Sequence, residues 1–92
     1  MFVADLHNDV LQRAIIGQDI ITHSNQGHTD IDRLILSGIN LEEFVIWVTK
    51  KHLQFNPFKR ANELINKLEE IEKKTNKIKI IKSLEDLNFA IN

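Results

Sequence analysis

Apolar and polar positions alternate at the start of the chain. In residues 2–7, Phe2, Ala4 and Leu6 fall to one side of an extended segment, and Val3, Asp5, His7 and then Asp9 to the other. The period changes in residues 9–17, where Val10, Leu11, Ala14, Ile15 and Ile16 follow helical spacing up to Gly17. Residues 18–29 are mostly polar around Ile20-Ile21, and Ser24-Asn25-Gln26-Gly27 marks a turn. Residues 30–36 predict a short helix with Asp30 as N-cap and Gly38 just beyond its end. Residues 44–49 form a continuous β-branched and aromatic run, as expected for a strand covered on both faces.

The longest pattern begins at Asn56-Pro57, a capping residue followed by proline at the first helical position. Phe58, Ala61, Leu64, Ile65, Leu68 and Ile71 trace one apolar stripe, and Thr75-Asn76 ends it. Glu63–Lys67, Glu69–Lys73 and Glu70–Lys74 stand four residues apart in the favourable order. Residues 78–82 predict a third short strand, and Ser83-Leu84-Glu85-Asp86 opens another helix in capping-box style. Leu87, Ala90 and Ile91 are its expected buried face, and the chain stops at Asn92 within that element.

Strands alternating with helices predict a parallel sheet with helical crossovers, an α/β class. Three parallel strands with open edges cover themselves poorly. The expectation is that residues 1–92 are the opening segment of a larger α/β domain, the rest of which lies outside this sequence.

Composition narrows the function classes. Of 92 residues, 42% are hydrophobic and 27% charged, with a net charge of −1, which suits a soluble globular chain rather than a disordered one. No overall basic excess exists to neutralise nucleic-acid phosphates. Residues 1–49 carry two basic and seven acidic side chains (−5), and residues 50–92 ten basic and six acidic (+4). The basic half is mostly an interleaved Glu/Lys helix, which reads as a solvated face. No apolar run approaches the roughly 20 residues that span a bilayer. No signal-peptide pattern follows Met1, so cytoplasmic residence is the expectation. With no cysteine, disulfides and thiolate metal sites are excluded.

The sharpest local signal is Asp5-Leu6-His7-Asn8-Asp9. Residues two apart on a strand project to one side, their Cα atoms about 6–7 Å apart. His7 and Asp9 are therefore candidate ligands for one cation, through an imidazole nitrogen and a carboxylate oxygen, with Asp5 as a supporting partner. The same spacing also suits a polar strand end with a hydrogen-bonded histidine.

Three segments together carry a resemblance. Asp5-Leu6-His7-Asn8-Asp9-Val10, Asp30-Ile31-Asp32-Arg33-Leu34 before Gly38, and Glu42-Glu43-Phe44-Val45-Ile46-Trp47-Val48 resemble the N-terminal part of the membrane (renal) dipeptidase family. The similarity runs through nearly all of this chain and covers about the first quarter of a family-sized protein. It implies the first β/α units of a (β/α)8 TIM-type barrel, incomplete here, that hydrolyses dipeptides with two zinc ions per complete site. It also implies that His7 and Asp9 ligate one zinc, while the bridging glutamate, the other histidine ligands and the substrate anchors lie on later strands. Barrel sites gather at the C-terminal ends of strands, where this motif falls. A metal-bridging hydroxide would attack the amide carbonyl.

Two positions depart from the family pattern: Glu42 stands where the family usually has Gln, and Glu43 where it usually has an apolar residue. A strand beginning at Phe44 would accommodate both acids. Trp47 falls near a family aromatic at the substrate entrance, although a barrel-packing aromatic is the better reading.

Other candidates carry less. His28-Thr29-Asp30 repeats the His-x-Asp spacing, but Asp30 reads as a cap and His28 as a loop residue; His23 and His52 read as surface residues. No phosphate loop, His-Glu-x-x-His helix or nucleophile–base–acid set is present, so no catalytic residue is assigned. Two alternatives stand beside the dipeptidase reading. One is another amidohydrolase-type metal hydrolase, although those usually carry His-x-His on the first strand. The other is a non-catalytic α/β interaction module that hides its strand edges in a homo-oligomer or against a complementing chain.

Overall fold

A computed structural model describes residues 1–91. The elements run β1 (Ala4–Asn8), α1 (Leu11–Ile15), α2 (Ile31–Leu36), β2 (Leu41–Phe44), α3 (Lys50–Leu53), α4 (Pro57–Lys74) and α5 (Leu84–Ile91). β1 and β2 form a two-stranded parallel sheet, with Ala4 opposite Leu41, Asp5 opposite Glu42 and Asn8 opposite Phe44. From Asp5 to Asn8 is three steps and from Glu42 to Phe44 only two, so β1 carries a bulge at Leu6-His7.

The second strand lies earlier than the run at 44–49 predicts. Val45 N–H donates to Asn8 O at 2.9 Å, but β1 ends at Asn8 and the chain turns into α1. Among the described residues, positions 46–49 therefore have no neighbouring strand, and the Trp47 carbonyl instead accepts from Gln12 Nε2 at 2.6 Å.

The predicted third strand at 78–82 does not form among the described residues. Ile80 N–H donates to Glu72 Oε2 of α4 at 2.6 Å, so a side chain occupies a donor that a ladder would use. Ile78 and Ile80 still turn inward between exposed Lys77 and Lys79, a strand-like alternation without a strand partner. An apolar groove of about 440 Å³ is bordered by both this segment and β2. The α/β class is thus present with one parallel strand pair instead of three strands.

The core is Val10, Leu11, Ala14, Ile20, Ile31, Leu64 and Ile71, with Phe44, Ile46, Leu68 and Ile78 packed against it. α4 supplies Leu64 and Ile71, and α1 packs on it through Leu11 and Ala14. Each of the buried leucine and isoleucine side chains contributes roughly 1.5–3 kcal/mol. The apolar stripe of α4 is only half used. Phe58, at 82% exposure, projects outward from the first turn.

Local signals mark the helix ends. Asn56 Oδ1 accepts from Lys59 N–H at 3.0 Å and caps α4, with Pro57 at its first position. Glu70 pairs with Lys74 at 3.1 Å as the spacing predicts, whereas Glu63 turns back to Arg60 at 3.3 Å. Ser83 Oγ accepts from Asp86 N–H at 3.1 Å at the start of α5. That helix fully buries no residue: of the expected inner face, Leu87 is half-buried, Ala90 borders the apolar groove and Ile91 is exposed. No described helix is long and apolar enough to cross a membrane.

Candidate functional site

His7 is near the C-terminal end of β1, and Asp9 follows directly after it. Their side chains meet: His7 Nε2 lies 3.1 Å from Asp9 Oδ2, and both side chains are largely exposed. An imidazole nitrogen and a carboxylate oxygen this close, open to solvent, can share a proton or take one cation between them.

The bulge decides what accompanies them. Simple alternation puts Asp5 on the face of His7 and Asp9. With an extra residue in β1, Leu6 and His7 are both exposed, while Asp5 and Asn8 are half-buried opposite Glu42 and Phe44. Asp5 keeps one link to His7, since its Oδ1 accepts from the His7 backbone N–H at 3.4 Å, but it does not bond the imidazole. Support for the ring thus reaches it through the backbone and through Asp9.

Behind the strand lies a polar cluster that the sequence pattern does not reveal. Both carboxylate oxygens of Glu42 are shielded from solvent without a hydrogen-bond partner of good geometry. Burial pushes the Glu42 carboxyl up to about 7; the nearby Asn8 amide opposes this, and the Asp5 carboxylate adds to it. Asn8 Oδ1 in turn accepts from Val10 N–H at 3.0 Å and fixes the turn from β1 into α1. The adjacent acids Glu42-Glu43 at the head of an apolar run are the only sequence hint of it, and which of them turns inward depends on the register.

No protein-family model, curated protein or solved structure matches this chain.

The other candidates fall elsewhere. His28 and Arg13 border a shallow cleft of about 220 Å³ beside Asn8 and Asp9. Arg13 donates into the loop from Nε to Gln18 Oε1 at 2.8 Å and from Nη1 to Thr29 O at 2.7 Å, while its Nη2 is shielded from solvent without a hydrogen-bond partner. Asp30 caps α2, accepting from Arg33 N–H at 2.8 Å. His52 sits in α3, with Nδ1 2.9 Å from Thr49 Oγ1. Trp47 is 56% exposed. Among the described residues no group of three or more His, Cys, Asp or Glu side chains is arranged to hold a metal.

Proposed function

We propose that this chain is the first β/α part of a zinc-dependent dipeptidase-type hydrolase, with His7 and Asp9 as two ligands of its metal centre. The observation that carries the reading is the 3.1 Å approach of His7 Nε2 to Asp9 Oδ2 at the carboxyl end of a parallel strand. Ligand sites of parallel α/β sheets gather at that end.

The donor pair suits zinc chemically, but a catalytic zinc takes three protein ligands and a water. His7 and Asp9 therefore supply half a site, and the dinuclear centre draws its other ligands from strands beyond this pair. When bound, the zinc ions supply a hydroxide and polarise the scissile carbonyl. The part of this chain is to hold a neutral imidazole and a carboxylate in register. Ligation uses the imidazole lone pair and the carboxylate oxygen, so a cation held between them excludes a hydrogen bond there. The further strands that complete a barrel would cover Leu6 and pair the open edges of the sheet.

Zinc titration of the 92-residue chain, followed through the His7 ring signals in NMR, tests the assignment. Weak binding that perturbs His7 and is lost in His7→Ala and Asp9→Ala is expected, with no turnover of a simple dipeptide. Unchanged zinc binding in both variants overturns the ligand assignment. Chelator-sensitive dipeptide turnover by the pure chain overturns the half-site.

A second reading, a non-catalytic module that buries its edges by self-association, is favoured by the exposure of Leu6, Phe55, Phe58 and Phe89. Its test is the solution mass. A stable oligomer that binds no zinc selects it.

A further inference from the structure

We propose that the corner between α3 and α4 docks on an anionic lipid surface, with Trp47, Phe55 and Phe58 entering the headgroup layer and three lysines facing its negative charges.

The chemistry begins with charge. Between Glu43 and Glu63 there is no acidic residue, whereas Lys50, Lys51, Lys59 and Arg60 give this stretch four positive charges. Arg60 is half-buried and turns to Glu63. Lys50, Lys51 and Lys59 are exposed, and none of them pairs with a carboxylate among the described residues. Further along the chain, Lys67 and Lys74 meet Glu70, and Lys77 meets Asp32. Uncompensated positive charge thus gathers at the corner.

The same stretch exposes its apolar side chains. Trp47, Leu53, Phe55 and Phe58 are each more than half exposed. They stand on hydrogen-bonded backbone. Thr49 O accepts from His52 N–H and Leu53 N–H at 3.0 Å, and His52 O accepts from Phe55 N–H at 3.2 Å and Asn56 N–H at 3.1 Å. Asn56 then caps α4, on which α3 packs. Two helix ends joined by one tight turn therefore hold these side chains outward.

Unpaired lysines beside exposed rings suit an anionic bilayer, which attracts basic residues and takes aromatic rings at headgroup level. A peptide partner is better received by a groove, and none of the four apolar side chains lines either cavity described above. A second copy docking through the same corner would set the lysines against one another. Nucleic acid would use the lysines and the rings but gives Leu53 no role.

The experiment uses the 92-residue chain with chelator present, so it is independent of the zinc reading. The chain is mixed with vesicles of equal parts phosphatidylcholine and phosphatidylserine, and with vesicles of phosphatidylcholine alone. Trp47 is the only tryptophan, so its emission reports on the corner. Co-sedimentation and a blue shift of that emission are expected with the anionic vesicles only, weakening as salt rises. Each lysine is worth about fivefold near such a surface, so Lys50→Gln/Lys51→Gln/Lys59→Gln should weaken partitioning about 100-fold. Phe55→Ser/Phe58→Ser should weaken it at least about tenfold, with the denaturant midpoint little changed. No partitioning into anionic vesicles at low salt, equal partitioning into both vesicle types, or undiminished partitioning in either variant overturns the proposal. Binding of duplex DNA or polyglutamate without vesicle binding also overturns it, as does a solution oligomer that Phe55→Ser/Phe58→Ser dissociates. If the serine variant does not fold, the lysine variant and the salt dependence decide.

Discussion

Arg33 Nε donates to Asp30 Oδ2 at 2.7 Å, and the Asp30 side chain has no exposure to solvent. The two residues stand at opposite ends of the first turn of α2, so the pair is local, but its reach is not. Asp30 also accepts from Ser24 N–H at 3.2 Å, while Arg33 Nη2 donates to Ser24 O at 2.9 Å and Gly27 O at 2.8 Å. One ion pair thus organises the polar loop between Ile21 and α2.

Burial pushes the Asp30 carboxyl up, but the Arg33 N–H, the Arg33 guanidinium and the Ser24 N–H together hold it below its ordinary value. A folded-state value below the unfolded one stabilises above the unfolded value, and that contribution is lost as pH falls through the folded value. Asp30→Asn should therefore flatten the acid limb of stability below about pH 4 and lower stability at pH 7. Arg33 keeps some solvent access, so the loss at pH 7 should be about 2–3 kcal/mol, below the range for fully buried pairs. Urea denaturation across pH 2–7 measures both effects. A steep acid limb retained in the variant would count against this role.

Leu64 and Phe58 lie on the same helix and the same sequence stripe, yet Leu64 is 0% and Phe58 82% exposed. Leu64→Ala should cost about 2–5 kcal/mol, because it removes contacts from the centre of the core and leaves a cavity. Phe58→Ala should stay within roughly 0.5 kcal/mol. Equal losses in denaturant midpoints would mean that Phe58 is covered in solution.

Gly27 and Arg13 are in tight apposition: a Cβ on Gly27 would lie 2.4 Å from Arg13 Cζ. The guanidinium cannot withdraw freely, since Thr29 O and Gln18 Oε1 hold it. Gly27→Ala should therefore destabilise by about 1–2 kcal/mol, and Arg13→Ala should relieve much of that cost. A double-mutant cycle should show a coupling of about 1 kcal/mol, and additive losses would remove the steric explanation.

The sequence by itself determined the features that depend on a few adjacent residues. Asn56-Pro57 starts α4 because a side-chain acceptor and a missing N–H suit a helix N-terminus wherever the helix lies. Asp30 as a cap, and Gly38 with its φ of +85° just past α2, follow in the same way. The approach of His7 to Asp9 was also legible, because two residues on one short segment are near each other in most backbones.

Tertiary structure decided what depends on a neighbouring strand or helix. Residues 44–49 and 78–82 have strand composition, but a strand exists only where another chain segment offers its N–H and C=O groups. β1 ends too early for the first run, and Glu72 holds a backbone donor of the second. The side to which Asp5 turns and the environment of Glu42 were equally out of reach. A bulge changes the face of every side chain beyond it, and nothing local in Leu6-His7 announces one.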